Sequence, residues 1–157
     1  MSDMLDDHII PVLLCGGQGR RLSPIANKET PKPVTKLKGE ALCMLQTTFL
    51  RTTSFGPAVL VTQDSYAQRI RSLLADLTFS YPYDLLSEPM ARDTAAAVAL
   101  AALYLGNHPE RMMLVLPIDH AIAREEEFRR AVHKAAENLP PGKVTLFGAN
   151  AESAEPS

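Results

Sequence analysis

"HIIPVLLCGGQGRRL", residues 8–22, decides how the rest of the chain is read. It begins as a short run of apolar, largely branched residues and stops abruptly at glycine. A run of that length and make-up suits a strand buried on both faces. Pro11 weakens the assignment, because proline has no N–H for a ladder and suits a strand's start or edge. The glycines Gly16, Gly17 and Gly19 then let the backbone turn sharply and approach a ligand closely. Successive N–H groups in such a turn form an anion-binding nest. Cations follow: Arg20, Arg21, Lys28, Lys32, Lys36 and Lys38, with Glu29 the one acid among them. Strand, glycine turn and clustered cations predict either a cradle for a polyphosphate or a tight turn with solvated cations beside it.

Outward from that stretch, two kinds of segment alternate. Residues 57–62, 83–88, 111–117 and 143–149 read as further strands, giving five with the first. Between them, residues 39–53, 64–77, 93–107 and 124–139 carry helical spacing. Asp64 suits an N-cap, as do Asp93 or Thr94, and Gly106 suits a helix end. Glu125, Glu126 and Glu127 open the last helix and cations follow, an order that suits the helix dipole. Strands alternating with helices predict an α/β fold: a Rossmann-like, mostly parallel sheet with helices on both faces and right-handed crossovers. In such sheets ligands bind outside the carboxyl ends of the strands. The chemically unusual stretches fall there: the glycine loop, "SEPMARDT" (87–94) and "LPIDHAI" (116–122).

The bulk numbers narrow the class. The chain has 157 residues, 46% hydrophobic and 22% charged, with net charge −2. That is the composition and size of one ordinary globular domain, with no general pull towards nucleic acid or membrane. The 2 cysteines, Cys15 and Cys43, lie far apart without a zinc-ligand pattern. The acidic start "MSDMLDDH" is unlike a signal peptide, and the expected compartment is the cytoplasm. Two familiar nucleotide loops are excluded. No Gly-Lys-Ser/Thr follows the glycines, and the third glycine of a G-x-G-x-x-G fingerprint would fall on Leu22.

"GGQGRRLSP" (16–24), "PKP" (31–33), "EPMARDTAAAVALAAL" from Glu88 and "LPIDHAI" together resemble the sugar-nucleotide pyrophosphorylases, and within them the bacterial mannose-1-phosphate guanylyltransferases. The resemblance runs from about Ile9 to Gly148. It implies the nucleotide-diphospho-sugar transferase type of fold, with 1–149 as the N-terminal nucleotide-binding part of a truncated domain and 150–157 as a loose tail. It implies a reaction in which GTP and mannose 1-phosphate give GDP-mannose and pyrophosphate. By the same resemblance Arg21 and Lys32 are catalytic, Gly16, Gly17, Gly19, Glu88 and Arg92 bind the nucleotide, and Asp119 binds Mg²⁺. Family members continue past the fifth strand with a segment that shapes the sugar pocket and supplies a second acidic metal ligand. The family's mannose enzymes usually carry "PKQF" where this chain has "PKP", which leaves the sugar open.

Other readings of the same residues stand beside these. Asp119 and His120 suit a cap on the following turn, and Glu88 with Arg92 suits a surface ion pair. At the level of the whole chain, the alternatives are a nucleotide-binding relative without turnover, acting as a regulatory or partner subunit, or a pyrophosphorylase for another sugar. A homo-oligomer, or a partner chain completing the fold, is an expectation of either.

Overall fold

The computed structural model describes residues 8–17, 31–36, 39–90, 92–106, 108 and 110–148. They fall into two compact units, residues 1–123 and 124–157. The first holds the sheet. Its strands are β1 (Ile9–Leu14), β2 (Ala58–Gln63), β3 (Tyr83–Glu88) and β4 (Met112–Pro117), and its helices are α1 (Met44–Thr52), α2 (Asp64–Ala75) and α3 (Asp93–Leu105). The strand order is β3-β2-β1-β4 and every pairing is parallel.

β1 is central, and Pro11 sits inside it rather than at an edge. The ladders explain how. β1 pairs with β4 from Ile9 to Leu14, but with β2 only from Val12 onward, immediately past the proline. The missing N–H therefore falls where one neighbouring ladder has not yet begun.

Both faces of the sheet are covered, which is why its central strands are apolar without alternation. On one face Leu13 and Leu60 pack with Leu45 and Phe49 of α1, Ile70 and Leu74 of α2, and Ile118. Phe49 meets Tyr81 and Tyr83 edge to face, at centroid distances of 6.3 and 5.8 Å, a favoured geometry for aromatic pairs. On the other face Ile10, Val12, Val59 and Val61 pack against Ala97, Ala101 and Leu105 of α3. The small alanines let that helix lie close to the strands.

α1 begins at Met44, later than the periodicity predicts, because Cys43 pairs with Lys36 in an isolated antiparallel bridge. Gln46 fixes the start: its Oε1 accepts from the Cys43 amide (3.1 Å), and its Nε2 donates to the Leu73 carbonyl (2.8 Å). The other helix ends differ from expectation in detail. Asp64 is the first helical residue rather than the cap, and Arg92 precedes α3. Gly106 ends α3 in a right-handed conformation.

The second unit contains α4 (Glu125–Glu137). Its acidic first turn is tied by Arg124–Glu127 (3.0 Å) and Arg129–Glu126 (3.2 Å) ion pairs. The expected fifth strand is not formed: residues 143–148 pair with no strand among the described residues. Val144 and Leu146 stand 84% and 88% exposed. A β-rich run is only half of a strand; the other half is a neighbour to bond with. Ala149 and the tail 150–157 lie outside the described residues.

Candidate active site

At the carboxyl ends of β1, β2 and β3 a cleft of about 200 Å³ opens beside the first turn of α3. Its floor is Leu14, Val61 and Ala97, all from the α3 side of the sheet. Its polar rim brings together Gly16, Gly17, Gln63, Glu88, Arg92, Asp93 and Thr94. Four of the residues singled out by sequence thus meet around one space: Gly16, Gly17, Glu88 and Arg92. Glu88 and Arg92 make no ion pair with each other among the described residues. Gly19 and Arg21 lie outside the described residues.

Gly17 is glycine for conformational reasons. Its φ is +100°, while a Cβ built there would meet nothing within 4 Å. Asp93 also has positive φ, +63°, at the mouth of α3. Aspartate is among the few side chains that enter this region with some frequency, at a cost. Gln63, Asp93 and Thr94 belong to the rim, although the sequence offered Asp93 and Thr94 only as helix caps and gave no sign of Gln63.

Lys32 and Asp119 do not line this cleft; they meet each other. Lys32 Nζ lies 2.8 Å from Asp119 Oδ1, with the side chains 14% and 28% exposed. Lys32 opens a short 3-10 turn after Pro31, which Thr35 closes by donating from Oγ1 to the Pro31 carbonyl (3.1 Å). The Met44 amide then donates to the Thr35 carbonyl (2.9 Å), tying the turn to α1. Asp119 lies just beyond β4, after the buried Ile118. Here α1 reaches across: Thr48 Oγ1 donates to the Ile118 carbonyl (3.1 Å) and Arg51 Nη1 to the His120 carbonyl (3.3 Å). Those two residues carried no sequence signal, since polar residues on a helix ordinarily face water.

Cys15 follows β1 and is fully buried, its Sγ donating to the Leu13 carbonyl (3.5 Å). Burial pushes its thiol far above the ordinary value, against a smaller opposing pull from the Lys32 charge. Cys43 is pushed up by burial too. Both are neutral core residues rather than nucleophiles.

The metal question turns on the donor set. Among the described residues no three His, Cys, Asp or Glu side chains gather. Asp119 offers one hard, partly exposed carboxylate. Mg²⁺ is commonly held by one or two carboxylates, with phosphates and waters completing its shell. One such carboxylate fits a Mg²⁺ whose remaining ligands are phosphates and waters.

The nucleotidyl transferase family model matches residues 10–156. A mannose-1-phosphate guanylyltransferase of Escherichia coli (strain K12) is 39% identical over 154 residues, spanning 92% of this chain and 31% of that protein. A xanthan biosynthesis protein, XanB, of Xanthomonas campestris pv. campestris (strain ATCC 33913) is 37% identical over 151 residues, spanning 94% of this chain and again 31% of that protein. The crystal structure of a mannose-1-phosphate geranyltransferase from Thermus thermophilus superposes with a TM-score of 0.71 at 30% identity, over 83% of this chain and 38% of that one. A 4-diphosphocytidyl-2C-methyl-D-erythritolsynthase from Anaerococcus prevotii shares the fold at 17% identity and a TM-score of 0.57, over 88% of this chain and 55% of that one. The chain spans about a third of the length of the curated relatives it matches. A glycine turn on a central strand, a cleft at the strand ends and a match over almost the whole sequence agree: the chain belongs to the nucleotidyl transferase family.

Proposed function

We propose that this chain is the nucleotide-binding part of an enzyme that transfers a guanylyl group from GTP to mannose 1-phosphate. The observation that carries the proposal is the cleft that unites Gly16 and Gly17 with Glu88 and Arg92 at the strand ends. The guanylyltransferase name of its relatives supplies the choice of GTP and mannose. A phosphate oxygen of mannose 1-phosphate forms a bond to the α-phosphorus of GTP. The bond from that phosphorus to the bridging oxygen breaks, and pyrophosphate leaves with the electron pair. The attacking oxygen is already ionised at neutral pH, so no general base is required.

The difficulty is bringing two polyanions together, which positioning and fixed positive charge relieve. The amides of the Gly16–Gly17 turn offer donors to phosphate oxygens. Glu88 offers acceptors to a base or sugar edge, and Arg92 a forked cation. Lys32 brings a point charge and Arg21, by resemblance, a second cation. Asp119 is the carboxylate that would hold Mg²⁺. When bound, that ion neutralises phosphate charge. Lys32 pairs with Asp119 Oδ1; were that carboxylate to hold Mg²⁺, its charge would be shared with the ion and Lys32 would be free to turn towards phosphate.

Calorimetric titration of the 157-residue chain with GTP and Mg²⁺, against ATP and dTTP, tests the reading, followed by pyrophosphate release with mannose 1-phosphate. Selective GTP binding with release is expected. Binding without release would leave a nucleotide-binding subunit. No binding by folded chain would overturn the reading. Lys32→Ala is expected to weaken GTP binding by about 10- to 100-fold, the loss of one charge-assisted contact.

A further inference from the structure

The turn that carries Asp119 is held from outside the sheet. The β1–β4 ladder ends at the Leu14–Pro117 pair, so the carbonyls beyond it have no strand partner in that ladder. Two of them, on Ile118 and His120, flank Asp119 on either side. Each accepts a hydrogen bond from α1, one from Thr48 (3.1 Å) and one from Arg51 (3.3 Å). Thr48 and Arg51 are three residues apart and so share a face of the helix. Both are buried, at 2% and 9% exposed.

A hydroxyl and a guanidinium inside a core are costly unless bonded, and a helical threonine commonly satisfies itself on its own preceding turn. Thr48 instead reaches a carbonyl 70 positions along the chain. The Ile118 carbonyl belongs to the peptide that enters Asp119 and the His120 carbonyl to the peptide beyond the next residue, so the two bonds pin the backbone from which the Asp119 side chain takes its direction. That direction places Oδ1 2.8 Å from Lys32.

We propose that Thr48 and Arg51 are positioning residues that aim the Asp119 carboxylate. They act through the two carbonyls, so that Asp119 stands ready opposite Lys32 before any ligand arrives. The geometry does not depend on the activity proposed above; the metal readout below rests on the reading of Asp119 as the Mg²⁺ carboxylate.

Thr48→Val removes the hydroxyl at constant volume, Thr48→Ser keeps it, and Arg51→Lys keeps the charge but withdraws the forked donor. In each full-length variant the side-chain ammonium signal of Lys32 is followed by NMR on chain labelled with ¹⁵N-lysine, identified by its loss in Lys32→Arg. The ion-paired signal is expected in wild type and Thr48→Ser, and shifted or lost in Thr48→Val and Arg51→Lys, while the amide spectrum of the strands stays the same. Mn²⁺ affinity in the presence of GTP is expected to fall about 2- to 10-fold in Thr48→Val, with Thr48→Ser restoring it. An unaltered Lys32 signal in a folded Thr48→Val overturns the proposal. Should Thr48→Val not fold, an unaltered signal in Arg51→Lys does the same. Wild-type chain that binds no Mn²⁺ removes the metal reading of Asp119, and the metal-free Lys32 signal still decides the positioning.

Discussion

The two faces of the sheet are built from different materials and carry different halves of the candidate site. The α1–α2 face is lined by large side chains: Phe49, Leu13, Leu45, Leu60, Ile70 and the half-buried tyrosines 81 and 83. The α3 face is lined by valines against alanines. The first face supports the Lys32–Asp119 pair through α1; the second forms the floor of the cleft through Leu14, Val61 and Ala97. Bulk on one side fixes a charged pair in place. Small residues on the other bring the start of a helix close to a glycine turn, leaving a space that a ligand can enter.

The contrast can be broken most forcefully at Phe49. Phe49→Ala removes the ring that Tyr81 and Tyr83 meet edge to face. About 3–5 kcal/mol of stability should go with it, seen as a lower urea midpoint. A loss under about 1 kcal/mol would mean that this face does not depend on its aromatic cluster. On the other face the weakness is the reverse one. Ala101 is completely buried. Ala101→Leu should cost about 1–3 kcal/mol by overpacking and should weaken GTP binding by moving α3 off the strands. Full stability with unchanged binding would show that α3 has slack.

Gly17→Ala sharpens the comparison at the turn between the faces. Its φ of +100° is strained for any residue with a Cβ, although space is open there. A cost of about 1–3 kcal/mol is expected by chemical denaturation, together with lost GTP binding. Unchanged stability would show that the turn re-forms with another conformation.

The smallest effect is a matter of pH. The Cys15 thiol is raised far above its ordinary 9.0 in the folded chain by burial, and returns to it on unfolding. The folded state therefore holds a proton that the unfolded state releases. The contribution is fully present below pH of about 9 and is lost as pH rises above it, by about 1.4 kcal/mol per pH unit. Urea midpoints under reducing conditions at pH of about 8 and about 10, either side of that value, should diverge more for wild type than for Cys15→Ala. Equal slopes would mean that water reaches Cys15.

The strands and helices of the sheet were legible because each is a local pattern. Met112–Pro117 is a run that finds a neighbour in β1, and its assignment holds. Residues 143–148 form a comparable β-rich run that pairs with no strand among the described residues. Nothing inside either segment distinguishes them, because the difference lies in the partner. The cleft was legible for the same local reason: glycines end a strand, and "SEPMARDT" ends another. The meeting of Lys32 with Asp119 was not, since it joins segments distant in the chain through a loop with no period. Thr48 and Arg51 were harder still. Residues 39–53 carry helical spacing, and an apolar stripe says nothing of which polar residues on the same helix are covered. In the fold Gln46, Thr48, Arg51 and Thr52 are buried too. Each of the four donates to a backbone carbonyl, a partner with no letter in a sequence.

The Lys32–Asp119 contact also bears on how two ligands sense each other. On the proposed reading a triphosphate would engage Lys32 and a divalent cation Asp119, and either, by drawing its group away, would part the pair. Whichever binds first bears the cost of separation, and the second finds its group already released. The two would then be positively cooperative through this contact. Linkage makes the coupling symmetrical: the factor by which GTP raises Mg²⁺ affinity equals the factor by which Mg²⁺ raises GTP affinity. Lys32→Met would erase this share of the coupling from both titrations at once, and a coupling factor unchanged in that variant would place its origin in direct contact between cation and phosphate alone. A single ion pair between two loops would thus make this chain respond to the metal–nucleotide complex as one ligand, and weakly to either part.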